Sequence, residues 1–318
     1  MQIDAKKAAE VLINNDNFII LTHSHPDGDT LGSGYALLRA LKNIGKRACV
    51  LNNDDVHKKY AFLWKDIQQD EISDDEGYVV SVDIATLDLL GDELSARFSD
   101  KIKLSIDHHS TNNIKADMSY LEGESGAAAE LILLIIEEMG VEITPEIATC
   151  IYTGISTDTG CFKFRNTTER TLRFAAKLMS LGADTEYVNE AMFETRTIGE
   201  VELERMFIES MEYAFNNRLA IGVITQEMYR ESGTGEDDCD WIASIPRRIE
   251  GVKIGVTIKE RKNGTFKASI RSRKPYRAND IAVVFGGGGH ENAAGCRFDG
   301  SLEDFKQAIK NAVAKVLE

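Results

Sequence analysis

The sequence predicts an α/β protein: a parallel sheet covered by helices, followed by a smaller α/β domain that would bind substrate. Three observations predict it. Short apolar runs alternate with helix-length patterns through the first half of the chain, the order that builds a parallel sheet with helices on both faces. After about residue 185 a long helical pattern gives way to a second set of strands. At 318 residues the chain also exceeds the roughly 100–200 residues of one ordinary domain. The expected boundaries are 1–186 for the first domain, 187–210 for a helical linker and 211–318 for the second domain.

The elements follow in order. "FIIL" at 18–21, "ACVL" at 48–51, "YVVSVDIA" at 78–85 and "KLSI" at 103–106 are continuous apolar runs, as expected of strands buried on both faces. "LGSGYALLRALKNIG" at 31–45 and "SGAAAELILLIIEEMG" at 125–140 carry helical patterns that close on glycine. "TEYVNEAMFETRTIGEVELERMFIESMEYA" is the connecting helical pattern. Then "RLAIGVIT" at 218–225 and "VKIGVTIKERKNGTFKASIRSR" at 252–273 read as strands, with Asn263-Gly264 as a hairpin turn. "SLEDFKQAIKNAVAKVLE" closes the chain as an amphipathic helix capped by Ser301.

Composition removes several function classes. With 52 acidic against 37 basic residues and a net charge of −15, long duplex nucleic acid and anionic membranes are disfavoured partners, because each phosphate contact needs a cation. No stretch approaches the ~20 apolar residues of a membrane span, and the start lacks a signal peptide's order, so a cytoplasmic location is expected. Cys49, Cys150, Cys161, Cys239 and Cys296 contain no Cys-x-x-Cys pair and read as reduced structural thiols.

The polar residues fall where a parallel sheet binds ligands, beyond the carboxyl ends of its strands. His23, His25, Asp27 and Asp29 follow the first run, Asp83 ends the third, and Asp107, His108 and His109 follow the fourth. "IYTGISTDTGCFKFRNTT" adds Asp158. So many carboxylates at one edge repel one another unless cations compensate them. A nitrogen and oxygen donor set without thiolate suits Mn²⁺ or Mg²⁺ better than structural zinc. Two ions fit the ligand count better than one, with Asp83 as a natural bridge between them.

The second half carries a charge inversion. "RKNGTFKASIRSRKPYR", from Arg261 to Arg277, has seven basic residues and no acidic one. The period of a strand puts Arg271 and Arg273 on one face, where they could grip a terminal phosphate. In "FGGGGHENAAGC" the glycines Gly287, Gly288 and Gly289 let backbone amides approach a phosphate, and His290 could donate to it or stack on a base. Arg165 and Asn166 are weaker candidates for positioning a nucleotide.

"HSHPDGDTLGS", "VVSVDIA", "SIDHHST" and "TGISTDTGCF" resemble the four ordered motifs of the DHH phosphoesterases, and "GGGGHENAAG" resembles the signature of their associated C-terminal domain. Ser24 stands where the family usually has asparagine. The resemblance implies one ion held by His23, Asp27 and Asp83, and another held by Asp29, Asp83, His108 and Asp158. It further implies that Asp107 orients a ligand histidine, that His109 sits near the scissile phosphate, and that His25 is a bystander. The implied cofactors are two Mn²⁺ ions, with Mg²⁺ or another divalent ion as the alternative. The implied reaction is hydrolysis of short RNA and of 3′-phosphoadenosine 5′-phosphate; a cyclic or linear dinucleotide is the alternative substrate. A nucleotide sensor without turnover is the alternative of another class, and a homodimer is left open.

Overall fold

A computed structural model describes residues 1–52 and 56–317, which form two compact units, Met1–Thr195 and Arg196–Glu318. The first unit holds a parallel sheet of β1 (Phe18–Leu21), β2 (Ala48–Leu51), β3 (Tyr78–Val82), β4 (Ile102–Asp107) and β5 (Met118–Leu121), in the order β2-β1-β3-β4-β5. Its helices are α1 (Ala5–Asn14), α2 (Gly28–Asn43), α3 (Gly91–Phe98), α4 (Ala128–Glu138), α5 (Pro145–Asp158), α6 (Glu169–Ser180) and α7 (Thr185–Asn189).

The apolar runs are continuous because both sheet faces are covered. Phe18 and Ile20 point into one core with Leu38, Ile132 and Ile151, while Ile19 and Leu21 point into the opposite one with Leu94 and Phe98. The first two strands form where the apolar runs end and begin; the third stops one residue before Asp83, and the fourth extends to include Asp107. Helix α2 starts three residues earlier than its apolar pattern. Asp27 caps it, accepting hydrogen bonds from the backbone nitrogens of Asp29 (2.9 Å) and Thr30 (3.2 Å). The half-buried "MSYL" of β5 gave no strand signal of comparable strength.

Strand order reverses between β1 and β3, so the connections leaving these two strands diverge and open a crevice at their carboxyl ends. Two glycines bring helices together beside it. A Cβ at Gly32 would lie 2.4 Å from the Cys150 carbonyl oxygen, and one at Gly154 would lie 2.7 Å from Asp29 Oδ1 and 2.6 Å from Ala129 Cβ. Only glycine lets α2, α4 and α5 approach this closely.

The second unit is a sheet of β6 (Glu212–Ala214), β7 (Leu219–Ile224), β8 (Ile254–Glu260), β9 (Phe266–Ser272), β10 (Gly288–His290) and β11 (Ala293–Phe298), in the order β10-β11-β9-β8-β7-β6. Only β7 and β8 pair in parallel. Helices α8 (Ile198–Glu209), α9 (Gln226–Ser232), α10 (Ile245–Arg248), α11 (Ala278–Ala282) and α12 (Leu302–Leu317) complete it. Val256, Ile270, Ile281 and Phe305 build the core on one face, while Phe207 and Tyr229 pack with Ile224 on the other. The β8–β9 hairpin turns at Asn263-Gly264: Arg261 N donates to Thr265 O (2.8 Å) and Gly264 has φ +79°. All five cysteines are free, and no described helix is long and apolar enough to cross a membrane.

Candidate active site

The crevice at the β1/β3 switch point collects acids and histidines from four segments. The loop after β1 supplies His23 and Asp27, and the first turn of α2 supplies Asp29. Asp83 follows β3, with φ +59°. This left-handed backbone is one that aspartate tolerates better than most residues. Asp107 ends β4, His108 and His109 follow it, and Asp158 is the last residue of α5.

Three ligand-atom groups lie within reach of a common point: His23, Asp27 and Asp83; Asp29, His108 and Asp158; and Asp83, Asp107, His108 and His109. His23 Nε2 is 3.6 Å from Asp27 Oδ1 and 3.8 Å from Asp83 Oδ2. His108 Nε2 is 3.5 Å from Asp83 Oδ1 and 3.8 Å from both Asp29 Oδ2 and Asp158 Oδ2. These separations are too long for hydrogen bonds. They suit atoms that face one ion, since bonds of about 2.1 Å put neighbouring ligands of an ion roughly 3–3.5 Å apart.

The imidazoles are turned for that purpose. His23 Nδ1 lies 2.8 Å from Ser24 O and His108 Nδ1 lies 3.2 Å from Ser125 O. A carbonyl only accepts, so each Nδ1 carries the proton and each Nε2 presents its lone pair to the carboxylates. The buried Asp83 Oδ1 has no hydrogen-bond partner. An orphaned carboxylate oxygen is costly in a protein interior unless a cation meets it. The donor set therefore fits hard divalent ions.

The electrostatics agree. Burial first, then the Asp29, Asp27, Asp107 and Asp158 carboxylates, push Asp83 well above the ordinary carboxylate range. Burial, with Asp29 next, carries Asp158 to about 7. Asp29 is raised by burial even though it accepts the backbone N–H groups of Ala128 (2.7 Å) and Ala129 (2.9 Å) at the start of α4. Burial alone would also raise Asp107, yet hydrogen bonds from His109 Nδ1 (2.8 Å) and Asn112 Nδ2 (2.7 Å) hold it low. The same Asp107 bond raises His109. Asp29, Asp83 and Asp158 thus hold protons more tightly than ordinary carboxylates, and a bound cation would favour their ionised forms instead.

The geometry redistributes some expected roles. Asp107 bonds to His109 rather than to His108; the orientation of His108 comes from the Ser125 carbonyl. His25 is exposed, with φ +51°. Asn166 holds the Asp158 carboxylate (Nδ2 to Oδ2, 3.0 Å) and Gly126 O (2.9 Å), while Arg165 beside it is exposed. The motif reading did not single out Asn112, Ser125, Glu130 or Arg170. Buried Glu130 accepts from Ser125 Oγ, Arg170 Nε and Thr171 Oγ1, fixing the segment on which His108 leans.

In the second unit Arg271 lies on β9, and across Ala293 from it stands His290 of β10. Gly288, Gly289 and His290 are exposed. Arg273 leaves that face: β9 ends at Ser272, and the Arg273 guanidinium donates to Arg247 O (3.0 and 3.2 Å).

Residues 17–155 match the DHH family, N-terminal domain, and residues 219–316 match the DHHA1 domain. The fold, the acid and histidine crevice and these matches define a phosphoesterase, and the chain belongs to the DHH family. It is 34% identical over 303 residues to the bifunctional oligoribonuclease and PAP phosphatase NrnA of Thermus thermophilus, over 94% of this chain and 89% of that protein. The structure of an exopolyphosphatase-related protein from Bacteroides fragilis is similar over 99% of this chain and 98% of that one, with TM-score 0.87 and 25% identity. RecJ of Thermus thermophilus in complex with Mn²⁺ shares the fold at TM-score 0.57 and 15% identity, over 98% of this chain and 54% of that one.

Proposed function

We propose that this phosphoesterase hydrolyses short oligoribonucleotides and 3′-phosphoadenosine 5′-phosphate, with two divalent ions, manganese foremost, as cofactors. The observation that carries the metal reading is the buried, unpartnered Asp83 Oδ1, with His108 Nε2 at 3.5 Å and His109 Nδ1 at 3.6 Å. The substrate reading is supported by the activity named for the Thermus thermophilus relative. His23, Asp27 and Asp83 would hold one ion, and Asp29, Asp83, His108 and Asp158 the other. Such ions acidify water and neutralise charge on phosphoryl oxygens.

The remaining groups act on the substrate directly. His109, held by Asp107 and raised in pKa, keeps a proton beside the centre to donate to a phosphate oxygen. Arg271, His290 and the amides of Gly287, Gly288 and Gly289 would bind a terminal phosphate and its base. Arg165, exposed beside Asn166, would contact the nucleotide.

The test is product release in Mn²⁺, Mg²⁺ and chelator from 3′-phosphoadenosine 5′-phosphate, a 5′-phosphorylated RNA dinucleotide, cyclic di-AMP and pyrophosphate. Preference for the first two, lost in chelator, is the expected result. Preference for cyclic di-AMP would move the substrate to a second messenger, and tight binding without product would make the protein a sensor. R271Q should raise KM and leave kcat nearly unchanged, because the guanidinium binds and does not react.

A further inference from the structure

Strands β9 and β11 set two cations directly opposite each other, Lys267 and Arg297. Buried Lys259 of β8 continues the row on the other side of Lys267. Lys267 and Arg297 are both exposed, on the sheet face away from the apolar core. Like charges facing each other across a ladder destabilise a sheet. Neither side chain has an ion pair or hydrogen bond with any described residue to offset that cost.

The pair borders a cavity of about 440 Å³, together with Phe285, Gly286, Gly287 and Gly295. That volume suits a nucleotide-sized ligand. Four residues further along β9, on the same face, is Arg271, in one row with Ala293 and His290. At ~3.3 Å per residue the two rows stand roughly 13 Å apart. The row between them is Ser269, Gly295 and Gly288, whose small side chains leave a low floor from one cationic end to the other. A mononucleotide reaches one end; a chain of several nucleotides reaches both.

We propose that Lys267 and Arg297 form a second phosphate subsite, which holds a backbone phosphate of an oligonucleotide whose terminal phosphate sits at Arg271 and His290. The inference rests on the short-RNA reading above and adds a physical ruler for substrate length. The free protein carries this like-charge opposition, and a bound phosphate would relieve it.

The test compares the wild type with the double variant K267Q/R297Q in two assays. In turnover, KM for a 5′-phosphorylated pentanucleotide should rise about tenfold, while KM for 3′-phosphoadenosine 5′-phosphate stays the same. In direct binding of the same pentanucleotide in chelator, the affinity loss should come with a log–log salt slope shallower by roughly 0.7 per cation removed. The ligand-free variant should also melt slightly higher, since it loses the like-charge opposition. Equal losses for both substrates, or unchanged pentanucleotide binding, would overturn the subsite. A wild type that cleaves no RNA would refute the nuclease reading alone, since the chelator binding assay still judges the cation pair.

Discussion

Replacing Gly154 by alanine should damage the catalytic centre without touching any of its charged groups. The new Cβ would stand 2.7 Å from Asp29 Oδ1, 2.6 Å from Ala129 Cβ and 3.3 Å from Asp29 Cα. Ordinary carbon contacts are about 3.5–4.0 Å, so α5 or the Asp29 carboxylate must retreat by roughly 1 Å. Asp29 has little room to do so, because both of its oxygens are committed to the amides of Ala128 and Ala129. Overpacking of this kind costs about 1–3 kcal/mol, or roughly 2–12 °C in Tm for a unit of this size. The displaced carboxylate should also lower Mn²⁺ affinity by roughly 10–100-fold, the usual effect of disturbing what supports a ligand. Titration of Mn²⁺ by calorimetry, with Tm in chelator, separates the two effects. Gly222→Ala is the control: its Cβ would lie 2.3 Å from Phe207 Cζ in the second unit, so it should lose stability and keep metal affinity. A Gly154→Ala protein with wild-type Mn²⁺ affinity would refute the argument that close helix packing places Asp29.

Asp83→Asn should abolish turnover and most metal binding, yet raise Tm in chelator, because it removes a buried charge among four other carboxylates; a lower Tm in chelator would contradict that accounting. The metal-free protein should lose stability between about pH 5 and pH 8. Asp29, Asp83 and Asp158 all bind their protons more tightly when folded, so their contribution is complete below the unfolded carboxylate pKa and lost as pH rises through the folded values, about 7 for Asp158. His23 and His109, also raised, act in the same direction, while the lowered Asp27 and Asp107 act only in more acid solution. Saturating Mn²⁺ should reverse this slope, and melting curves with and without chelator check it. Asn166→Leu should release Asp158 and lower Mn²⁺ affinity roughly tenfold with KM for substrate little changed; a rise in KM alone would mean that Asn166 reads the nucleotide instead.

What the sequence disclosed about this molecule follows from how local each signal is. Strands β1 to β4 were legible because both of their faces are buried, and the acids and histidines were legible because they follow those strands directly. The short β5 is half-buried, and β10 and β11 are rich in glycine and alanine, so neither propensity nor alternation marks them. Arg273 illustrates the limit of a period-two argument: it holds only while the strand lasts, and β9 ends one residue too soon. The sequence offered Asn166 only as a nucleotide contact and Glu130 not at all, and their observed roles were hidden for another reason. Besides local bonds to Asp158 and Ser125, each has a partner far away in the chain, with 40 residues between Asn166 and Gly126 and between Arg170 and Glu130, so only the folded helices complete their roles.

The left-handed backbone at Asp83 has a genetic consequence. One base change converts an aspartate codon into codons for asparagine, glycine, alanine, valine, glutamate, histidine or tyrosine. Of these, asparagine and glycine are the most at ease with φ near +59°. Asparagine brings no charge to the centre and glycine brings no ligand at all. The others that carry a metal-binding group are glutamate, which must pay in backbone strain and in length, and histidine, which offers a bulkier neutral ligand in place of a carboxylate. Among the amino-acid replacements one base change away from Asp83, none therefore keeps the carboxylate, its length and an unstrained left-handed backbone together.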